Sequence, residues 1–160
     1  MPLYLRILSL LISSLFLTCT APPQATQLSE KKAVEVLLRI RDIAGQTQED
    51  IATILGHQQW LDPEKAEQSA CPTCQKYTYQ DGFVDIVYSN DAADRITISP
   101  PAGYKGTDVP ALLGLPEMSP DSLGNGILLW TKYPGILNIQ AAVRPDEALI
   151  SITVRVLTPY

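Results

Sequence analysis

Residues 45–56 read G-Q-T-Q-E-D-I-A-T-I-L-G, a short helix with both ends written into the chain. Thr47 can cap the N-terminus, and Asp50, three residues on, puts a carboxylate at the positive end of the helix dipole. Ile51, Ile54 and Leu55 follow at i, i+3 and i+4, the spacing of an apolar stripe. Gly56 can adopt the positive φ that closes a helix. Upstream, Ser29 caps a longer expected helix running to about Ala44. Val34, Leu37, Leu38, Ile40 and Ile43 supply its apolar face; Lys31, Lys32, Glu35, Arg39, Arg41 and Asp42 supply its wet one. Gly45 interrupts the two, so together they read as a helical hairpin.

Downstream the period changes from helical to alternating. Residues 77–88, Y-T-Y-Q-D-G-F-V-D-I-V-Y, carry a strong hairpin signal, with Asp81-Gly82 as a two-residue turn needing positive φ at both positions. That turn pairs Gln80 with Phe83, Tyr79 with Val84, Thr78 with Asp85 and Tyr77 with Ile86. One face then holds Tyr77, Tyr79, Val84, Ile86 and Tyr88, and the other Thr78, Gln80, Phe83, Asp85 and Val87. Residues 94–99 alternate again, with Ile96 and Ile98 inward and Arg95 and Thr97 outward. After residues 100–106, read as a linker, Thr107 can cap a single helical turn ending at Gly114. A strand over 127–132, a type II turn at Tyr133-Pro134-Gly135-Ile136 and a return strand over 136–143 follow. This turn pairs Trp130 with Ile139 inward and Thr131 with Asn138 outward. Residues 148–157 are the longest strict alternation, with Ile150, Ile152, Val154 and Val156 on one side and Ser151, Thr153 and Arg155 on the other.

The two halves correspond. I-L-G at Gly56 matches L-L-G at Gly114, the turn at Asp81 matches that at Pro134, and R-I-T-I from Arg95 matches S-I-T-V from Ser151, at offsets of 58, 53 and 56 residues. The expected fold is α+β: a helical hairpin packed on an antiparallel sheet, in two tandem helix–three-strand repeats of about six strands altogether, with the other sheet face exposed. The expected boundaries are a signal peptide over 1–18, a tether over 19–29, the first repeat over 30–99, the linker over 100–106 and a shorter second repeat over 107–160.

The first thirty residues give an address. Arg6 is the one charge before Glu30, and residues 7–17 form an apolar run of 11 residues broken by serines. Spanning a bilayer takes about 20 residues, so the run has the length of a secretory h-region. Cys19 follows in F-L-T-C-T, which resembles the lipobox of bacterial lipoproteins, although Phe16 and Thr18 stand where that motif usually has Leu and a small residue. By resemblance Cys19 is the lipidation site; plain cleavage and secretion is the other reading. Of the 3 cysteines, two form the C-P-T-C pair Cys71 and Cys74, which leaves Cys19 over. A structural disulfide, a redox pair and half of a zinc site compete for Cys71 and Cys74. A strand rather than a helix follows them, and His57 is the single histidine, so the disulfide is preferred.

The formal net charge of −5 argues against nucleic acid, whose phosphates call for a basic surface. No nucleophile elbow or phosphate loop is present. Asp85 and Asp94 form no evident acid–base pair, and His57 sits at a helix end without an orienting partner. The expectation is a non-enzyme with no cofactor and no metal. The outward set Thr78, Phe83, Asp85, Arg95, Thr97, Leu129, Thr131, Tyr133, Asn138, Thr153 and Arg155 has the make-up of a protein-binding patch, with aromatic and arginine anchors in a polar surround.

Gly45, Thr47, Ile51, Ile54, Leu55 and Gly56 also resemble the signature of the small outer-membrane lipoproteins of the SmpA/OmlA type, Gly-Met-Thr, three mostly polar residues, Val, then Leu-Leu-Gly-x-Pro. Gln46 and Gln58 depart from it, and Gly114-Leu115-Pro116 restores its end in the second half. Tandem helix–sheet units resemble the β-lactamase inhibitor protein fold. The resemblance implies a non-enzymatic envelope assembly factor or inhibitor-like binder. Its partner would be an unidentified envelope or secreted protein, and its membrane contact an N-terminal lipid. The alternative is a periplasmic thiol-disulfide protein using Cys71 and Cys74.

Overall fold

The computed structural model describes residues 34–56, 58–60 and 74–157. The expected signal segment and tether, with Cys19, and also His57 and Cys71, lie outside the described residues. Within them, alternation becomes one eight-stranded antiparallel sheet. Its strands are β1 (Gln58–Trp60), β2 (Gln75–Tyr79), β3 (Val84–Ser89), β4 (Ala92–Ile98), β5 (Ser122–Gly124), β6 (Ile127–Trp130), β7 (Ile136–Val143) and β8 (Leu149–Val156), in the order β1-β2-β3-β4-β8-β7-β6-β5. Each half of the chain lays down four strands in sequence, and the halves meet where β4 pairs with β8. There R-I-T-I meets S-I-T-V with Thr97 opposite Thr153, Ile96 opposite Val154 and Ile98 opposite Ile152.

The sheet corrects the expected fold in two ways. First, it has eight strands rather than six. The additional β1 and β5 are three-residue edge strands, and all of β5 is exposed. An edge strand bonds to one neighbour through its backbone, so its side chains need no inside–outside alternation and leave no periodic signal. Second, the helical hairpin is not formed. The described part of the expected long helix holds a single turn, α1 (Ile40–Ile43). Before it, Leu37 and Leu38 donate their N–H groups to Leu112 O at 2.9 and 3.1 Å, and Ile40 donates to Leu113 O at 3.2 Å. These carbonyls belong to the end of α3 (Val109–Leu112) and the residue after it, where a helix leaves acceptors without internal partners. The chain before α1 satisfies them, and in doing so gives up its own i→i−4 ladder. Leu38 and Ile40 are buried on either side of exposed Arg39, an alternation that the helical reading of the same apolar residues had hidden.

The second expected helix is present as α2 (Gln48–Leu55). Asp50 N–H donates to Thr47 Oγ1 at 3.2 Å, and the Thr47 hydroxyl donates to Asp50 Oδ2 at 2.7 Å. Gly56 closes the helix with φ 85°, its N–H donating to Ala52 O at 3.0 Å. Ile51 and Leu55 are buried, whereas Ile54 is 50% exposed. Thr107 does not cap the next helix: it lies inside a 3-10 turn (Gly106–Asp108) that leads into α3, and there the Asp108 carboxylate accepts the Lys105 N–H at 2.9 Å.

The core lies on one face of the sheet. Cross-strand registers align Leu128, Ala141, Ile152, Ile98, Val84 and Tyr79 in one row, and Trp130, Ile139, Val154, Ile96, Ile86 and Tyr77 in the next. Ile40, Ile43, Ile51, Leu55, Val109, Leu112 and Leu113 from the helical segments join the same buried cluster. Two polar tips inside it find each other, the Tyr79 and Tyr88 hydroxyls at 2.7 Å, and Tyr79 also donates to Gln58 Oε1 at 3.0 Å. The residues read as a linker end in close packing. Lys105 bridges Ala148, Gly106 N–H donates to Glu147 O at 3.1 Å, and Leu149 N–H donates to Tyr104 O at 2.9 Å. A Cβ on buried Gly106 would lie 2.7 Å from Val143 Cγ1 and closer still to Leu128 Cδ1, so a larger residue there would have to displace those side chains.

Candidate protein interface on the outer sheet face

The opposite face of the sheet contributes no residue to the hydrophobic cluster. Because side chains alternate strictly along a strand, the registers that bury the core rows also fix the outer rows. One runs across all eight strands as Gln59, Thr78, Asp85, Thr97, Thr153, Gln140, Leu129 and Ser122. Beside it runs a second row of Lys76, Val87, Arg95, Arg155 and Asn138. Eight of the eleven residues expected to point outward therefore share one surface: Thr78, Asp85, Arg95, Thr97, Leu129, Asn138, Thr153 and Arg155.

The remaining three do not. Asp81 (φ 55°, ψ 36°) and Gly82 (φ 90°) make the expected turn, and Phe83 N–H donates to Gln80 O at 3.1 Å. Gln80 also has a positive φ, however, and Phe83 is helical at φ −70° and ψ −35°. Both leave the ladder, so alternation stops applying at Phe83, whose ring packs against the core. Tyr133 lies past the end of β6 and is 4% exposed, its hydroxyl donating to Pro116 O at 2.8 Å. Burial raises the Tyr133 pKa. Neither aromatic is a surface anchor. Thr131 is exposed but occupied: its N–H and its hydroxyl both donate to Asp121 Oδ2 at 2.8 Å, while Lys132 pairs with Asp121 Oδ1. The Lys132 ammonium first, and the Thr131 hydrogen bonds second, hold the Asp121 carboxyl down at about 2. On β8, Ile150 is half exposed rather than inward, because a bulge pairs Ala142 with Ser151 but Val143 with Leu149, and Leu149 takes the core position.

Apart from Leu129 and the buried Val87, the outer rows are polar, but unevenly satisfied. On β2 and β3 the groups are spoken for: the Thr78 hydroxyl donates to Asp85 Oδ1 at 2.6 Å and Lys76 Nζ lies 3.0 Å from Asp85 Oδ2. Lys76 was not among the expected outward residues, although its spacing of two from Thr78 signals it. Thr78 is 7% exposed, so it serves this network rather than an open surface. On β4, β8 and β7 the groups are open. Arg95 stands directly opposite Arg155, and Arg155 opposite Asn138. Among the described residues neither guanidinium has an ion-pair or hydrogen-bond partner. Asn138 Oδ1 is buried with no donor to it.

A concavity lies on the helix side, an open groove of about 430 Å³ lined by residues including Val36, Leu38, Arg39, Ile54, Leu55 and Gln80. Cys74, immediately before β2, has its sulfur engaged, while the other two cysteines lie outside the described residues. No family model, curated protein or solved structure matches this chain.

Proposed function

We propose that this chain is a secreted, lipid-anchored bacterial envelope protein that acts as a non-enzymatic protein-interaction module through the outer face of its sheet. The observation that carries the reading is the asymmetry of that sheet. All the described helices pack their buried residues into the cluster on one face, and the other face presents two rows that are polar apart from Val87 and Leu129, with two unpaired arginines opposite each other at its centre. Surface polar groups held on a rigid sheet are prepaid in conformational entropy, which favours their use in recognition. Phe83 and Tyr133 are not part of this surface, and the contact is assigned instead to Arg95, Thr97, Thr153, Arg155, Asn138, Gln140 and Leu129. The lipid is assigned to Cys19 and the disulfide to Cys71 and Cys74. A photo-crosslinking residue at Thr153, compared with one at Ile54 on the helix side, tests the contact in the producing cell. Adducts through Thr153 support the outer face; adducts through Ile54 alone move the interface to the groove. Mass spectrometry of the mature N-terminus tests the anchor: a diacylglyceryl mass on Cys19 is expected, and an unmodified N-terminus beyond it refutes lipidation.

A further inference from the structure

The centre of the outer face breaks a pairing rule. Like charges directly opposite on neighbouring strands destabilise a sheet, yet Arg95 and Arg155 are direct partners on β4 and β8, the pair that joins the two halves. In a chain with 17 acidic and 12 basic residues, a carboxylate to separate them is abundant. The nearest acids by register do not serve. Asp85 is taken by Lys76 and Thr78. Asp94 sits in the β3–β4 bulge beside Arg95, and no ion pair joins it to either arginine. Local rules broken in this way without internal compensation mark functional surfaces.

The neighbours of the pair are also suited to a ligand. Thr97 and Thr153, opposite each other, lie two residues along the same strands and on the same face, adding two hydroxyls. Two guanidiniums call for an anion that can accept in a plane, as a carboxylate does. On a face that binds protein, an Asp or Glu side chain of the partner supplies such a carboxylate. The overall negative charge of the chain would repel an acidic segment at long range, so the attraction is local to this row.

Resting on the assignment of the outer face as the interface, we propose that the Arg95–Arg155 pair receives a carboxylate from an extended acidic segment of the partner protein. The lone pair of arginines is then a half-site whose repulsion is relieved on docking.

The test uses the purified protein with its native N-terminus, in detergent, followed by NMR of the arginine Nε–H signals. The probes are capped hexaglutamate, capped hexaglutamine, inorganic phosphate and phosphatidylglycerol vesicles. Hexaglutamate is expected to shift Arg95 and Arg155 while hexaglutamine does not, with affinity falling as salt rises and falling about tenfold or more in R95Q and in R155Q. Both variants should melt at or above the parent temperature, since each removes a repulsion, and this keeps loss of binding separate from loss of folding. Unmoved arginine signals, or hexaglutamate binding unchanged in R95Q and R155Q, overturn the proposal. So does a stronger response to phosphate, or vesicle association that disappears in the R95Q/R155Q double variant, which would make the ligand a headgroup rather than a peptide. The crosslinking readout separates the two levels: Thr153 adducts that persist in the double variant retain the outer face and discard the acidic partner, whereas adducts through Ile54 alone discard both.

Discussion

Replacing Tyr133 distinguishes a packed aromatic from a surface anchor. The side chain is 4% exposed within the main hydrophobic cluster, and its hydroxyl donates to Pro116 O at 2.8 Å. Tyr133→Phe keeps the ring and deletes the hydrogen bond. A net loss of about 1 kcal/mol is expected, because the carbonyl loses its donor in a partly buried site. Tyr133→Ala removes the ring from a close-packed interior and should cost about 3–5 kcal/mol, the range for aromatic-to-alanine truncations in cores. Small domains are stable by about 5–15 kcal/mol, so the alanine variant would lose about a fifth or more of a typical total. Urea unfolding followed by far-ultraviolet circular dichroism reads both changes. The midpoint should fall in the order parent, Phe, Ala, with the slope unchanged if the native sheet survives. In a domain of this size the Phe variant should melt roughly 3–5 °C lower. If Tyr133→Ala unfolds at the parent midpoint while losing the partner, the ring is exposed in solution and its placement in the core is wrong.

Gly106→Ala should destabilise by about 1–3 kcal/mol through overpacking against Leu128 and Val143; the double change Gly106→Ala with Leu128→Ala should recover part of that, and an undiminished melting temperature for Gly106→Ala alone would refute the close approach. Burial raises the pKa values of Tyr79, Tyr88 and Tyr133, and Tyr88 is raised further by donating its hydroxyl to Tyr79. These phenols stay protonated in the fold at pH values where the unfolded chain ionises, so stability is full below the ordinary phenol pKa of 10.0 and should fall as pH rises above it. A tyrosinate absorbance that develops in step with loss of circular dichroism would show this, and early titration of all seven tyrosines in an intact fold would contradict it. Asp121 is shifted the other way, from 3.8 to about 2, by Lys132 and Thr131. Its contribution is therefore present above pH 3.8 and lost as pH falls toward about 2. Asp121→Asn should flatten that part of the acid-unfolding profile, and an unchanged profile would show that the clasp does not form in solution.

Several features were legible in the residues because their causes are local. The Thr47 cap needs Asp50 three positions on, and Asp81-Gly82 can hold positive φ at both turn positions. Each sets its geometry within one turn of chain, and the structure shows both. Period-two alternation likewise carries the faces of β2, β3, β4 and β7, since a strand with one buried side must put every second residue there. The limits of alternation were less legible. Phe83 and Tyr133 were extrapolated outward from a register that stops at Tyr79 and Trp130. Beyond the last ladder pair, side-chain direction is set by loop dihedrals and by whatever lies nearby.

What the amino-acid sequence determined alone was the set of local elements with their own caps and turns, and the division of most strands into an inner and an outer side. Tertiary structure decided the rest. The stretch 34–39 has residues compatible with a helix, but the free carbonyls at the end of α3 compete for its N–H groups, and two long-range hydrogen bonds take those of Leu37 and Leu38, with Ile40 at the start of α1 adding a third. The two edge strands exist because a neighbouring backbone is available, not because their side chains demand it. The pairing of β4 with β8 joins residues some sixty positions apart, and no local property of either strand reports it. Yet that single choice of neighbour is what sets Arg95 directly opposite Arg155.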